Sequence, residues 1–440
     1  MTGYRELARN RDFTILWTGQ TISDLGSNVS MFVFPLITYA LSGSALWAAV
    51  VEAAFLLGMC GALLPAGVLA DRVHRRLLMR TASGAGVVLY TSLAVAGAIG
   101  TLSVAHLAVV ALLTGVAGGI AAPAEISSVR SVVRPDELST ALSQSQARQH
   151  IASLVGGPLG GILYGVTRWF PFAFDAISFA VSWVLLGRLE TDLSAPRREG
   201  PRREGAGRRP HHDVAEGIRF ILGWPYFRAI ACWGALANLL VNAMFFVAIL
   251  RMVQDGVSPA VIGLVSTAAG VGGILGAMAA PWIIERMPTG MLVVTVAWSF
   301  VPLVVPMVLW HHPAVVAAAI FTGLLLNPAG NAGGGTYRIS HTPVHLQGRA
   351  SSASQFLSMS VIWLAPLLGG ALLGWLGGPT AIAVIGGLVA LVALIPTLTR
   401  SVRSVPRPAV WQAELAAEAA RGSTRVTREP APALVSGGGG

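Results

Sequence analysis

Residues 67–76 read GVLADRVHRR, a short charged stretch between two long apolar segments. The segment before it ends at about residue 70 and starts at about residue 45, and the segment after it covers residues 77–99. Each exceeds the roughly 20 apolar residues that a helix needs to cross a bilayer. The stretch therefore predicts an arginine-rich connection between two membrane-spanning helices.

The composition of the whole chain agrees with this interpretation. The 440 residues are 54% hydrophobic and only 11% charged, whereas a soluble protein carries about 25% charged residues. Two cysteines exclude a disulfide scaffold. No P-loop, metal-ligand spacing or catalytic constellation occurs. We therefore expect a membrane protein that is not an enzyme, with no metal and no cofactor.

Reading onward from the charged stretch predicts an all-α membrane protein with twelve transmembrane helices. The apolar segments cover residues 13–41, 45–70, 77–99, 103–128, 141–166, 171–190, 228–250, 260–284, 290–310, 314–337, 349–376 and 379–399.

All 30 basic residues are arginines, and their distribution predicts the orientation of the chain. With the N-terminus in the cytoplasm, 27 arginines lie inside, 2 outside and 1 within a span. Positive charge is retained on the cytoplasmic side of membrane proteins. This asymmetry predicts that both termini are cytoplasmic, and it excludes nucleic acid as the reason for the net charge of +10. The arginine-only, Ala/Gly-rich usage is typical of a GC-rich bacterial genome. We therefore expect the protein in a bacterial plasma (inner) membrane.

When the two halves of the chain are aligned with a shift of 208 residues, identical residues near helix ends and kinks coincide, such as Arg130 with Arg338 and Pro158 with Pro366. This register predicts two six-helix repeats, with a binding site near the membrane midplane between them. The expected segments are an N-terminal half at 1–190, a cytoplasmic linker at 191–227, a C-terminal half at 228–400 and a disordered cytoplasmic tail at 401–440.

The quoted stretch resembles the signature loop of the major facilitator superfamily, G-x-x-x-D-R-x-G-R-R/K. The matching positions are Gly67, Asp71, Arg72, Arg75 and Arg76. His74 replaces the usual glycine, and this residue type does not favour the tight turn that the family pattern implies at that position. The resemblance implies the twelve-helix major facilitator fold and a conformational latch at Asp71. The alternative is that the arginines only set topology.

A second motif lies in the predicted fifth span. Gly157, Pro158 and Gly161 resemble the G-x-x-x-G-P-x-x-G-G motif of superfamily exporters, although Ser153 and Ile162 depart from it. The alternative is a proline-kinked, closely packed helix without a role in export. The sequences LWTGQ at 16–20 and ISDLG at 22–26 are similar to the branch of enterobactin exporters and macrolide and multidrug efflux proteins.

Ionisable residues at membrane depth are costly and suggest function. The main candidates for coupling are Asp24 and Arg148, followed by Glu52. Asp24 is the only carboxylate that we place near the middle of a span in the first half. Asp175 is expected near the outer end of the sixth span. Neutral side chains that could line a cavity, or bond helix to helix, are Asn28, Asn238, Asn242, Asn327 and Gln355.

Three functional hypotheses remain open from the sequence. The favoured one is a secondary transporter that exports small amphiphilic molecules, such as a drug, an antibiotic or a siderophore-like compound, with the proton gradient as its energy source. The alternatives are an importer of a small solute and a non-transporting sensor. The expected partners are the small-molecule substrate, protons and the lipid bilayer, with no nucleic acid and a monomeric chain.

Overall fold

The computed structural model describes residues 7, 9–134, 136–193, 210–310, 312–343 and 346–426. Within these residues the secondary structure is α-helical, with short connections between helices. The predicted all-α fold is confirmed.

Six long helices form the first half of the molecule. Each helix is antiparallel to the one before it in the chain, so the connections lie at the two ends of the bundle. We call the end at which the first helix begins the proximal face, and the opposite end the distal face. The helices are α1 Arg11–Ser42, α2 Ala45–Arg72, α3 Arg75–Ala98, α4 Val104–Val132, α5 Leu138–Val166 and α6 Phe170–Gly187.

The second half repeats this arrangement with interrupted helices. Three of its spans consist of two consecutive helices each, because prolines near the breaks, such as Pro302 and Pro328, cannot donate the backbone hydrogen bond that would continue the helix. The helices are α7 Pro210–Gly223, α8 Pro225–Gln254, α9 Pro259–Arg286, α10 Thr289–Trp298, α11 Val301–Leu309, α12 Pro313–Leu325, α13 Asn327–Ser340, α14 Gln347–Met359, α15 Leu364–Leu376, α16 Gly378–Leu398, α17 Arg400–Arg403 and α18 Pro408–Val426.

Eleven helical segments of the described chain are long and apolar enough to cross a membrane. The helix α5 is equally long but is not among them, because residues 143–150, SQSQARQH, make its proximal half polar. Such a helix is stable at membrane depth only where its polar side chains face protein or a water-filled cavity. With α5 the described helices account for twelve spans, and the polar residues of its proximal half must face protein or water.

The two halves meet near the distal face through small residues. A side chain on Gly161 of α5 would lie 2.9 Å from the Cα atom of Ala260 in α9, and one on Gly370 of α15 would lie 2.5 Å from the Cβ atom of Ala49 in α2. Glycine permits this close approach of helix backbones. In this conformation the halves are closed against each other at the distal face.

Two of the segments outside the twelve spans contain helices. The tail beyond residue 400, expected to be largely disordered with a short helix near Trp411–Arg421, contains α17 and the longer α18, and Trp411 is only 2% exposed. The described part of the linker contains α7, which packs on α14 through Gly217. Residues 194–209 and 427–440 lie outside the described residues.

Candidate functional site

Three charged side chains from three helices of the first half lie together at membrane depth. Arg148 of α5 is 2% exposed, and its Nη2 atom lies 3.4 Å from Oδ2 of Asp24 on α1. The same Nη2 atom donates a hydrogen bond to Oε1 of Glu125 on α4. We call Asp24, Glu125 and Arg148 the charge cluster. It joins α1, α4 and α5 through one guanidinium.

The structure adds Glu125, which the sequence analysis missed. Glu125 is thus a further carboxylate within a span of the first half, although Asp24 lies nearer the middle of its own span. Glu125 lies seven residues before the end of α4, at Val132. The predicted span at 103–128 includes Glu125, but no motif in the sequence distinguishes it. Only the packing of α4 against α5 reveals that it faces Arg148.

The charge cluster carries two carboxylates and one cation. With both acids ionised its net charge is −1, and a buried charge is costly unless it is paired. Glu125 has the direct hydrogen bond, whereas Asp24 is held at the longer distance of 3.4 Å. The charge of Asp24 is therefore the less compensated of the two.

The donors of Arg148 are only partly used. Its Nε and Nη1 atoms are buried and have no hydrogen-bond partner among the described residues, and the same holds for Oδ2 of Asp24. The side chains of Asp24 and Glu125 retain 25% and 18% exposure, while that of Arg148 retains 1%. The two carboxylates thus cover the guanidinium and are the groups that a proton or a solute can reach.

Small residues of α5 position this cluster against α1. A Cβ atom on Gly156 would lie 2.5 Å from Cβ of Asn28. Asn28 is partly buried, and its Nδ2 atom donates a hydrogen bond of 2.7 Å to the backbone oxygen of Asp24. The amide of Asn28 therefore binds its own helix and supports the turn that carries Asp24.

The three residues of the predicted exporter motif lie on another face of α5, against the second half. A side chain on Gly157 would meet Cβ of Ser266 in α9 at 3.2 Å, and Gly161 lies against the start of α9. Pro158 lies inside α5, which continues through it from Leu138 to Val166. The motif residues therefore form the contact between the two halves, and they lie distal to Arg148.

Glu52 lies away from the charge cluster. Ala49 of α2 lies against Gly370 of α15, and Cys60 of α2 donates to the backbone oxygen of Met359. At 3.6 residues per turn Glu52 falls on the same face of α2 as these two residues. It therefore lies at the interface between the halves, and no ion pair joins it to another described residue.

Asp175 is fully buried in α6. Its Oδ1 atom accepts a hydrogen bond of 2.9 Å from Ser178, and Gly26 of α1 approaches it closely. The expectation of a position near the end of the span is met, since α6 begins at Phe170. Among the described residues no group of three or more His, Cys, Asp or Glu side chains could hold a metal ion.

The signature loop connects α2 and α3 at the proximal face. Arg75 donates to Oγ of Ser131 at 3.1 Å, and Nε of Arg76 donates to the backbone oxygen of Leu186 at 3.0 Å. These arginines join the loop to the ends of α4 and α6. The structure does not describe the surroundings of Gly67 or the side chains of Asp71 and Arg72, so the latch stays a prediction.

His74 occupies the turn of this loop without strain. Its backbone has φ −58° and ψ 118°, and the preceding Val73 has φ −107°. Both values lie in regions that ordinary residues adopt. The turn therefore does not need the glycine that the family pattern has there.

The predicted cavity-lining residues of the second half are spread over three helices. Asn238 and Asn242 are exposed and lie one turn apart on α8, and Nδ2 of Asn242 donates to the backbone oxygen of Asn238 at 2.8 Å. Asn327 begins α13 and accepts a hydrogen bond of 2.6 Å from Asn331. Gln355 is exposed on α14. The structure does not bring these four residues into contact with the charge cluster.

Comparison with known proteins identifies the family. A model described as Major Facilitator Superfamily matches residues 16–252 and again residues 231–436. The chain is 25% identical over 366 residues to a multidrug efflux pump, Tap, from Mycolicibacterium fortuitum, with 79% of this chain and 85% of the relative covered.

Solved structures of transporters share the fold. The nucleoside transporter NupG superposes with a TM-score of 0.70 at 9% identity, over 88% of this chain and 98% of NupG. A bacterial homologue of the human lysosomal transporter Spinster, in an inward-facing and unoccupied conformation, superposes with a TM-score of 0.68 at 14% identity, over 89% and 96% of the two chains. A bacterial homologue of the iron transporter ferroportin, also inward-facing, gives 0.65 at 16%, over 90% and 99%.

The family match covers nearly the whole chain, the fold is the two-repeat arrangement of twelve membrane-crossing helices, and the efflux pump is a relative in sequence. The chain therefore belongs to the major facilitator superfamily, as a multi-pass membrane transporter and not an enzyme.

Proposed function

We propose that this transporter exports small amphiphilic molecules from a bacterial cell in exchange for protons. The charge cluster carries the proposal, because two carboxylates share one buried guanidinium at a depth where an uncompensated charge is costly. The relationship to an efflux pump supports export rather than uptake. The likeness to a nucleoside transporter concerns the fold alone.

Asp24 is the proposed coupling residue. It is the carboxylate with the weaker contact to Arg148, so a proton on Asp24 leaves Glu125 and Arg148 as a neutral pair. A proton on Glu125 would break the direct hydrogen bond instead. Arg148 stays charged, because a guanidinium does not release its proton in proteins. The proton would therefore load Asp24 and leave the ion pair intact.

Alternating access would couple this proton to the substrate. We assign the proximal face to the cytoplasm on the distribution of arginine, so the conformation closed at the distal face is the inward-facing one. In the outward-facing state the glycine contacts of α5 with α9 would separate and open the cavity to the outside. A change in the Asp24–Arg148 distance between the two states would change the proton affinity of Asp24.

Export can be tested by efflux of a fluorescent amphiphilic dye from cells that express the protein, with and without a protonophore. We expect efflux that the protonophore abolishes. Accumulation of the dye on expression would instead indicate an importer, and no effect on the dye or on any offered solute would indicate a non-transporting protein.

Coupling can be tested in proteoliposomes with an imposed pH gradient. Asp24→Asn removes the titrating group at nearly constant volume, so we expect loss of uphill transport while downhill substrate exchange persists. Asp136→Asn is the matched control, since Asp136 is exposed in the loop between α4 and α5 and pairs with Arg134 rather than with the charge cluster. Uphill transport at the wild-type rate by Asp24→Asn would contradict the assignment and direct attention to Glu52 or Asp175.

A further inference from the structure

A separate cavity of about 240 Å³ lies inside the second half, near the proximal face. Its wall is formed by the end of α7 and by α8, α10, α13 and α14. No residue of the charge cluster lines it. Its volume is below the roughly 300–1,000 Å³ of pockets for drug-sized ligands, so it suits one chemical group or a small ring.

The cavity exists because α13 lacks side chains on one surface. Gly330, Gly334 and Gly335 line it. A Cβ atom on Gly335 would have no neighbour within 4 Å, and one on Gly334 would lie 3.9 Å from the hydroxyl oxygen of Tyr226. Glycine inside a helix lowers its stability relative to alanine. Gly334 and Gly335 therefore keep space open at a cost to the helix, whereas a Cβ atom on Gly330 would lie 2.8 Å from Cγ2 of Val296, so Gly330 permits a close contact with α10.

The polar side chains that line the cavity are those of Tyr226, Asn331, Arg338 and Ser354, of which the guanidinium of Arg338 carries the positive charge. Tyr226 is 6% exposed, and its hydroxyl has no partner among the described residues. Nε of Arg338 is likewise buried and unpartnered, while Nη1 of Arg338 donates to Oγ of Ser354. No carboxylate is among the described residues that line the cavity. The guanidinium of Arg338 is partly buried and forms no ion pair with a described acid, and a positive charge in that position favours an anionic ligand.

The remaining wall is aromatic and aliphatic. Trp233 and Phe227 of α8 line the cavity, together with Ile230. Arg338 lies two residues before the end of α13 at Ser340, and Tyr226 is the second residue of α8. The donors therefore lie near the proximal ends of their helices, and the apolar wall extends from there along α8.

We propose that this cavity binds the anionic group of an amphiphile, a phosphate or a carboxylate, with Arg338 and the hydroxyl of Tyr226 as donors and Trp233 beside the apolar part of the ligand. The ligand is either the head group of an anionic phospholipid or a soluble organic anion. The proposal does not depend on the direction or the coupling of transport.

Binding can be measured by isothermal titration calorimetry on the full-length protein in neutral detergent. The probe is phenyl phosphate, and benzyl alcohol is the neutral comparison. We expect phenyl phosphate to bind and benzyl alcohol not to bind. Arg338→Gln should raise the dissociation constant for phenyl phosphate by about tenfold or more, since it removes the charge-assisted hydrogen bonds.

A second variant fills the cavity and keeps Arg338. Gly335→Leu places a side chain in the open space, so we expect loss of phenyl phosphate binding. Gly387→Leu on α16 is the matched control, because a Cβ atom there also has no neighbour within 4 Å and Gly387 does not line the cavity. Arg219→Gln, an exposed arginine on α7, controls for general loss of positive charge.

The source of the anion can be distinguished in nanodiscs. If phosphatidylglycerol added to phosphatidylcholine weakens phenyl phosphate binding, the site takes a lipid head group. If binding is the same in both bilayers, it takes a soluble anion. Equal affinity for phenyl phosphate and benzyl alcohol, or unchanged affinity in both Arg338→Gln and Gly335→Leu, would overturn the proposal. Because the readout is binding, it is independent of whether the protein exports its substrate.

Discussion

Gly157 of α5 and Gly263 of α9 lie backbone against backbone across the two halves of the molecule. A Cβ atom on Gly263 would lie 2.7 Å from the carbonyl carbon of Gly157 and 2.8 Å from Cα of Pro158. Both obstacles are main-chain atoms, which cannot rotate away as a side chain can. The distal closure of the transporter therefore requires a glycine at residue 263.

The first prediction is that Gly263→Ala disfavours the distal-closed state. We expect its transport rate to fall by roughly tenfold or more, because the halves cannot approach to the same distance. Gly165→Ala on α5 is the matched control, since a Cβ atom there has no neighbour within 4 Å. Ser266→Cys should become more reactive toward a thiol reagent in the Gly263→Ala background, with Cys60 and Cys232 replaced. Wild-type transport by Gly263→Ala would show that the contact is not part of the cycle.

The second prediction concerns the loss of Arg148 from the charge cluster. Arg148→Ala leaves two partly buried carboxylates without a cation, so we expect both uphill transport and downhill exchange to be lost and the melting temperature to fall. The cost of removing one partner of a buried pair is about 3–5 kcal/mol. The double variant Arg148→Ala with Glu125→Gln should recover part of the melting temperature, because it removes one of the two acids. No recovery in that double variant would argue that Glu125 is not ionised beside Arg148.

The third prediction concerns the signature loop. Asp71→Asn should reduce transport and leave protein level and substrate binding nearly unchanged, because Asp71 lies at the proximal end of α2, away from a site near the midplane. Asp136→Asn, in another proximal loop, is the control and should transport normally. If substrate binding in detergent falls as far as transport does, the latch interpretation is wrong.

The fourth prediction concerns the start of α1. The carboxylate of Asp12 accepts hydrogen bonds from the backbone nitrogens of Thr191 at 2.6 Å and Glu190 at 3.2 Å, and from the hydroxyl of Thr191. Asp12→Ala leaves these donors unpaired, so we expect a loss of about 1–3 kcal/mol in stability.

A thermal melt in detergent would measure this loss as a lower melting temperature. Glu190→Gln is the control, because its ion pair with Arg11 is exposed at both partners and should contribute little. An unchanged melting temperature in Asp12→Ala would show that the segment after α6 is held by other contacts.

The fifth prediction concerns topology. Single cysteines in place of Arg202 and Gly437, both outside the described residues, should resist an impermeant thiol reagent in intact cells and react after permeabilisation. Val166→Cys, an exposed position at the distal end of α5, should react in intact cells. Labelling of the first two positions from outside would reverse the assigned orientation.

The hydrophobic pattern was sufficient to predict the fold. Twelve apolar stretches of spanning length can satisfy their backbone groups within a bilayer only as helices. Their predicted limits lie close to the helices of the structure, as for α4, expected at 103–128 and observed at Val104–Val132. The motif at 67–76 identified the family, because its residues lie close together in the sequence. The hydrophobic pattern was least informative for α5, because residues 143–150 are polar and only the neighbouring helices explain how they are accommodated.

The charge cluster and the contact between the halves depend on tertiary structure. Asp24, Glu125 and Arg148 are separated by 23 residues or more in the chain, and no periodicity within one helix indicates which side chains of three helices share a site. The same applies to Gly157 and Gly263, whose role as a contact depends on the crossing of α5 and α9. The sequence alone determined that these residues lie in membrane-spanning segments, since burial in lipid depends on local composition. Only the packing of the helices decided which charges meet, because the energy of a buried charge depends on its distance from its partners.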